Sequence, residues 1–333
     1  MPKRLRYLWI LVLATASAVG DEKATVTGKD LFEKVDPSIR EQVPPMLKQG
    51  LDEVVVQTDV TFAQRSSGPL KLDIYRTRES VASTANSKPR PAILVIHGGS
   101  WKSGDRKQLG LYAASLARRG YVTYAVEYRL APKHPWPAQW EDVRDAVLWL
   151  KKQAAKQGID PDRIGAVGYS AGGHLATMLA TKGHQSVDPE HPNLTAAVRC
   201  VAAGGAPCDF SQMPLDNKFL AYWLGASRKE KPEVYVQASP LQLVSASTSP
   251  IFFFNGTLDL MVRPNSAKIL SDKLVALGID STLHLVPGAG HITAALDDHA
   301  LQIAWKFLDK HLKTATASSE SCVKQPQAEA AAK

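Results

Sequence analysis

Eight strand-like runs of six to eight residues recur along the chain between residues 54 and 288. They are VVVQTDV (54–60), LKLDIY (70–75), PAILVIHG (91–98), YVTYAVEY (121–128), RIGAVGYS (163–170), VRCVAAGG (198–205), PIFFFNG (250–256) and STLHLVPG (281–288). Several are almost continuously Val, Ile, Leu, Phe or Ala. That is the pattern of a strand covered on both faces rather than of one with a face turned to water. Between the later runs lie segments with apolar residues at helical spacing: KQLGLYAASLARRG, WEDVRDAVLWLKKQAAKQG, SAKILSDKLVALG and ALDDHALQIAWKFLDKHLK, with AGGHLATMLA directly after the fifth run. Strands alternating with helices predict an α/β domain with an about eight-stranded, mostly parallel, doubly wound sheet. The first two runs have no helix between them, so that edge is predicted antiparallel. No segment repeats.

The ends of the chain carry different patterns. MPKRLR, then YLWILVLA, then the small residues ASA at 16–18 follow the basic, apolar, small order of a signal peptide. This predicts cleavage after Ala18 and a secreted or periplasmic protein. The apolar run is far below the roughly 20 residues that a membrane span needs, so no stable membrane insertion is expected. Residues 19–50 are polar and mixed, with DPSIREQVPPMLKQG read as a short amphipathic helix and a possible cap. Residues 51–313 form the main domain. The tail, 314–333, is small and polar and is predicted to be disordered.

Composition adds limits. The chain has 333 residues, 44% hydrophobic and 22% charged, enough for one large domain with a substantial core. Its formal charge is +8, and Lys3, Arg4 and Arg6 supply three of those charges. No basic face interleaved with aromatics is visible, so nucleic acid is not an expected partner. Three cysteines are too few for a disulfide scaffold. Cys200 and Cys208 are close enough in sequence to pair in an oxidising compartment; two buried thiols is the preferred reading.

The chemistry concentrates at three places. Gly168-Tyr169-Ser170-Ala171-Gly172 is a G-x-S-x-G element between a strand-like run and a helical one. Glycines on either side of the serine let strand and helix pack closely around a strained turn, which exposes the hydroxyl at the C-terminal edge of the sheet. The amide of Ala171 lies at a helix N-terminus, where free N–H groups favour an anion. A serine hydroxyl is a poor nucleophile unless a base takes its proton. Four histidines follow the seventh run. His284 falls within a strand, and His299 and His311 within the last helix; His291 is placed in a loop, in PGAGH. It is the candidate base. His174 is close to Ser170 in sequence, but lies a full turn into the helix and reads as a packed or hydrogen-bonded support. Asp259, just past the seventh run in FFFNGTLDLMVRP, is the candidate acid that would orient His291. Asp272 and Asp280 fall on or after a helix and fit less well. HGGSW, residues 97–101, follows the third run. It offers backbone donors for a developing oxyanion: the amides of Gly99 and Ser100, or of Gly98 and Gly99, together with that of Ala171.

At these residues the chain resembles α/β-hydrolases of the hormone-sensitive-lipase-like and bifunctional feruloyl/acetyl-esterase-like carboxylesterase group. VIHGGSW, YRLAPKHPWPAQWEDVRDAVLWL, GIDPDRIGAVGYSAGGHLA, NGTLDLMVRP and LVPGAGH carry the resemblance, from about residue 52 to 312. It implies Ser170 as nucleophile, Asp259 as acid and His291 as base, an oxyanion hole drawn from Gly98, Gly99, Ser100 and Ala171, and neither metal nor organic cofactor. Where many relatives have HGGG, this chain has Ser100, which keeps a backbone donor. Tyr128 and Arg129 read as structural, with Arg129 pairing an acid such as Asp142. Residues 207–245 are expected to form a short cap, and Trp101 and Tyr169 are candidate pocket residues. The function implied is a secreted serine esterase for short acyl esters, with acetyl or feruloyl groups on plant polysaccharide as the favoured substrates. The alternatives are an arylformamidase-like or lipase-like hydrolase; a non-catalytic binding protein of this fold generally lacks a triad member. The acyl group, the alcohol and the oligomeric state are not written in these motifs.

Overall fold

A computed structural model describes residues 26–35, 37–82, 88–185 and 191–313. The signal-peptide and tail expectations lie outside the described residues. The strands are β1 (Val26–Thr27), β2 (Val54–Arg65), β3 (Gly68–Thr77), β4 (Arg90–Ile96), β5 (Val122–Val126), β6 (Ile159–Tyr169), β7 (Val201–Gly204), β8 (Ile251–Gly256) and β9 (Ser281–Val286). They form one sheet in the order β1-β2-β3-β5-β4-β6-β7-β8-β9. From β5 to β9 every neighbour is parallel, and β1, β2, β3 and β5 are joined antiparallel. The ninth strand beyond the eight sequence runs is β1, two residues long, pairing Val26 with Val56 and Thr27 with Val55.

Alternate residues of the central strands face opposite cores, which is why these runs are apolar throughout. Ala92, Leu94 and Ile96 of β4, with Ile251 and Phe253 of β8, enter one core. Ile93 and Val95, with Phe252 and Phe254, enter the other. The helices α2 (Ala138–Lys152), α3 (Ala171–Lys182) and α4 (Asn265–Ala276) cover the first face, and α1 (Gly110–Arg118) and α6 (Asp298–Leu312) the second. A short helix, α5 (His291–Ala295), precedes α6. The result is the doubly wound α/β-hydrolase arrangement expected from the motifs. Among the described residues no helix is long and apolar enough to cross a membrane.

The strand order places the site. From β4 the chain crosses to β5 on one side and then to β6 on the other. The crevice at the C-terminal ends of β4 and β6 is therefore the point where the winding reverses, and such crevices hold ligands in open α/β sheets. The register brings Ile96 beside Gly168, Tyr169 beside Gly204, and Gly204 beside Phe254. The turns after β4, β6 and β8 thus leave the sheet at one level.

Some local expectations shift. DPSIREQVPPMLKQG is not one helix but two four-residue helices, Pro37–Arg40 and Pro45–Lys48. Pro44 and Pro45 interrupt the turn, since neither can donate the backbone bond that a continuous helix needs. Val43 and Leu47 of this segment, with Leu51 just after it, pack into the core on the α1 face. Residues 207–245 carry the short helices Ala221–Leu224 and Pro232–Gln237. Phe210, Trp223, Leu224, Tyr235 and Leu241 join the opposite core, so this segment is fastened to the domain rather than folded apart from it. Arg129 pairs Asp142, as read from the sequence: the Arg129 amide and Nε each donate to Oδ2 at 2.8 Å. Arg65 adds a second guanidinium on Oδ1 at 3.1 Å.

Candidate active site

Ser170 directly follows β6 and caps α3 with φ +57° and ψ −121°, a conformation that side chains rarely adopt. The helix must therefore leave the strand at once, and the packing shows how tightly. A Cβ on Gly172 would stand 2.0 Å from the Ile96 carbonyl oxygen, so only glycine fits where α3 passes the end of β4. The Ser170 amide donates to the Gly204 carbonyl at 2.8 Å and ties the elbow to β7. Ser170 is 8% exposed, at the floor of the crevice. Its position at the N-cap leaves the first amides of α3, starting with Ala171, directed toward the same place.

His291 is the first residue of α5, not part of a free loop as its sequence context suggested. A five-residue helix is too short to show its period in sequence. Its Nδ1 lies 2.7 Å from Asp259 Oδ2, with both side chains buried. An ionised carboxylate only accepts, so this contact fixes the proton on Nδ1 and leaves Nε2 as the basic nitrogen. Asp259 is held in turn. Its Oδ1 accepts from the amides of Met261 at 2.9 Å and Val262 at 2.8 Å. Tyr169 Oη donates to the His291 carbonyl at 2.5 Å, and the two rings stand 5.3 Å apart. Tyr169, expected in the pocket, is buried beneath the histidine, and burial raises its hydroxyl pKa well above the ordinary value. Asp272 pairs Lys268 at 2.7 Å on the exposed side of α4, and Asp280 pairs Lys310 and His311, both away from His291.

The turn after β4 runs beside the serine. A Cβ on Gly98 would lie 3.4 Å from Ser170 Cβ. Gly99, Ser100 and Trp101 follow with φ of +107°, +53° and +58°. Three consecutive left-handed residues turn the backbone sharply, and each non-glycine one costs about 1–3 kcal/mol. The surroundings hold the turn in place. Tyr128 Oη donates to the His97 carbonyl at 3.0 Å, and its ring stacks on His97 at 4.2 Å. Tyr222 Oη, from the 207–245 segment, donates to the Ser100 carbonyl at 2.7 Å. Trp101, expected to line the pocket, is 4% exposed and lies flat against Trp223. His174 is fully buried beside them, in the supporting position its sequence context suggested. Burial pushes the pKa values of His97 and His174 down to about 4, so both are neutral near pH 7.

Sequence reasoning did not foresee Tyr222 or Trp223 as partners of the turn. Only the aromatic pair in AYWLG hinted at them. Cys200 and Cys208 are free and buried, as the preferred reading of two buried thiols has it, and burial raises both thiol pKa values.

Comparison with known proteins gives a consistent result. The BD-FAE family model matches residues 72–274. Esterase LipC of Mycobacterium tuberculosis is 28% identical over 236 residues, covering 68% of this chain and 57% of LipC. The chain spans about half the length of the curated relatives it matches first. A truncated form of a carbohydrate esterase from gut microbiota has a TM-score of 0.66 at 24% identity, covering 78% of this chain and 96% of that one. Esterase Est2 of Thermogutta terrifontis gives 0.66 at 24% identity, covering 78% and 94%. These two structures share the fold.

Proposed function

This chain belongs to the BD-FAE family, and on that premise we propose that it is a serine carboxylesterase acting through Ser170, His291 and Asp259. One observation carries the reading. A buried Asp–His pair at 2.7 Å stands at the same sheet edge as a serine held in a strained elbow.

In this reading Ser170 Oγ attacks the ester carbonyl carbon while His291 Nε2 takes the hydroxyl proton. The carbonyl oxygen becomes an oxyanion, which accepts hydrogen bonds from the amide of Ala171 and from amides of the turn at Gly98, Gly99 and Ser100. The C–O bond to the alcohol then breaks as His291 returns the proton to the leaving oxygen. Water, deprotonated by His291, attacks the acyl-enzyme, and Ser170 recovers its proton. Asp259 holds the imidazole in the Nδ1–H tautomer throughout and stabilises the imidazolium as it forms.

For the substrate, we favour short acyl groups, acetyl or feruloyl, on plant polysaccharide. The esterase and carbohydrate-esterase descriptions of its relatives support this class. The order of residues 1–18 supports export, which would bring the enzyme to such a polymer. Residues 207–245 would cover the pocket as a short cap.

The test is turnover of p-nitrophenyl acetate, acetylated xylan and methyl ferulate by the protein and its variants. Ser170→Ala and His291→Ala should each lower kcat on the order of 10⁵-fold or more, and the double variant should be little worse, because the triad acts as a unit. Asp259→Asn should cost less, about 10⁴-fold, since nucleophile and base remain. A phosphonate should label Ser170. Folded Ser170→Ala protein with near-parental turnover overturns the assignment.

A further inference from the structure

Behind the strained turn lies a box of aromatic rings closed by one histidine. Trp101 stacks on Trp223 with centroids 3.6 Å apart and planes within 1° of parallel. The His174 ring meets both indoles at 5.3 Å, nearly perpendicular, and Phe210 at 5.4 Å. Two polar contacts tie His174 into this box. Trp101 Nε1–H donates to His174 Nδ1 at 3.3 Å, and His174 Nε2 lies 2.8 Å from the Ala238 carbonyl oxygen. An indole N–H can only donate and a carbonyl can only accept. Only one form of the ring satisfies both: neutral, with its proton on Nε2. The ester-cleavage cycle set out above makes no use of this histidine, yet it is 0% exposed, and burying a polar ring is unfavourable unless it is fully bonded.

What it holds is the unusual feature. Ser100 and Trp101 are adjacent non-glycine residues with positive φ, and such strain persists only where the surroundings over-determine it. The backbone of Trp101 belongs to the strained turn, and its indole is the handle by which the turn can be gripped. His174 grips that handle from α3, the helix that begins at Ser170, and is itself pinned by Ala238 of the 207–245 segment.

We propose that His174 is a positioning residue: through the Trp101 indole it fixes the Gly99–Trp101 turn relative to Ser170, so that the turn amides meet the oxyanion. This inference rests on the serine-esterase reading above. Its consequence is specific. The oxyanion is fully formed only after attack, so a turn that drifts loses transition-state stabilisation more than ground-state binding. Turnover falls while KM stays.

Two near-isosteres separate the two bonds of the ring. The His174→Asn amide reaches about as far as Nδ1, so it keeps an acceptor for Trp101 and loses Ala238. The His174→Gln amide reaches about as far as Nε2, so it keeps the donor to Ala238 and loses Trp101. Trp101→Phe keeps an aromatic stack and removes the indole N–H. Steady-state kinetics on p-nitrophenyl acetate would be run beside guanidinium chloride unfolding. His174→Gln and Trp101→Phe should each lower kcat about tenfold at unchanged KM, the worth of one buried hydrogen bond. Their double variant should be no worse than the poorer single one, because both cut the same link. His174→Asn should retain most of the parental kcat even though it loses comparable stability.

Equal losses of kcat in the Asn and Gln variants would overturn the proposal, as would parental kcat with only a lowered unfolding midpoint. Additive losses in the double variant would overturn it too. If His174→Gln does not fold, Trp101→Phe decides alone, and parental kcat there sinks the idea. Ser170→Ala separates this inference from the reading beneath it. Activity surviving in Ser170→Ala defeats the serine mechanism, whereas a dead Ser170→Ala beside a fully active His174→Gln defeats only the role of His174.

Discussion

Mild acid should unfold this protein, because two of its histidines are buried in the neutral form. His97 and His174 are 2% and 0% exposed, and burial pushes each pKa down from 6.5 to about 4. The Gly98 carbonyl beside His97 and the Ala238 carbonyl beside His174 draw those values back up only in part. In the unfolded chain both rings take up protons near pH 6.5; in the folded chain they resist until about pH 4. Between those limits the unfolded chain binds more protons, so stability is lost as pH falls through the window and is regained as it rises. The displacement from 6.5 to about 4 is worth about 3 kcal/mol per ring. The two together are a large share of the about 5–15 kcal/mol that holds an ordinary domain folded. His184, His284 and His311 are lowered by burial as well and act in the same sense. Asp73, raised by burial, opposes them, since it takes its proton more readily when folded.

The assay is guanidinium chloride unfolding at fixed ionic strength from pH 4.5 to 7.5. Two protons correspond to a slope of about 2.7 kcal/mol per pH unit near pH 5.5. His174→Asn removes one titrating ring and should reduce that slope by about one proton. A slope below one proton in the unaltered protein would refute the reasoning, and so would a parental slope in His174→Asn.

Three further outcomes follow from single contacts. Gly172→Ala places a methyl group 2.0 Å from the Ile96 carbonyl oxygen; the elbow must shift, and kcat should fall by about 10²-fold or more because the nucleophile moves with it. Tyr222→Phe removes the bond to the Ser100 carbonyl and should lower kcat about fivefold at constant KM, the worth of about 1 kcal/mol, so a rise in KM alone would contradict the assignment. Cys200 and Cys208 should not react with Ellman's reagent in native protein and should react fully in guanidinium chloride, since both thiols are buried and held protonated.

The sheet was legible because burial on two faces leaves no room for polar residues: PIFFFNG could hardly be anything but a central strand. The elbow was legible for a steric reason, since Gly168 and Gly172 stand where no side chain fits. The Asp259–His291 pair followed from the place of each residue just past a strand-like run. What stayed hidden depends on long-range contacts or on helices too short to show a period. Trp101 read as a pocket candidate and Phe210 and Trp223 fell in the expected cap, and nothing in the local pattern says that residues 101 and 223 stack. Positive φ at Ser100 and Trp101 contradicts the preference of both residue types, so no propensity could have supplied it. Likewise, His291 opens a helix of only five residues, and the Pro44–Pro45 break divides a segment whose apolar spacing alone suggests one helix.

Backbone strain is concentrated at the site. Among the described residues, four non-glycine positions have positive φ, and three of them, Ser100, Trp101 and Ser170, stand at the candidate site. Each is unfavourable by about 1–3 kcal/mol on its own and is maintained only by its surroundings. For Ser170 those surroundings are the fit of Gly172 against β4 and the amide bond to Gly204. For the turn they are Tyr128, Tyr222, Trp223 and His174, drawn from three separate stretches of chain. Substitutions elsewhere in the cores should therefore lower the population of folded protein and leave kcat per folded molecule intact. Substitutions among these few supports should lower kcat in protein that is still folded. The reason is that the supports oppose strain at the site itself, while the cores oppose the entropy of the chain as a whole.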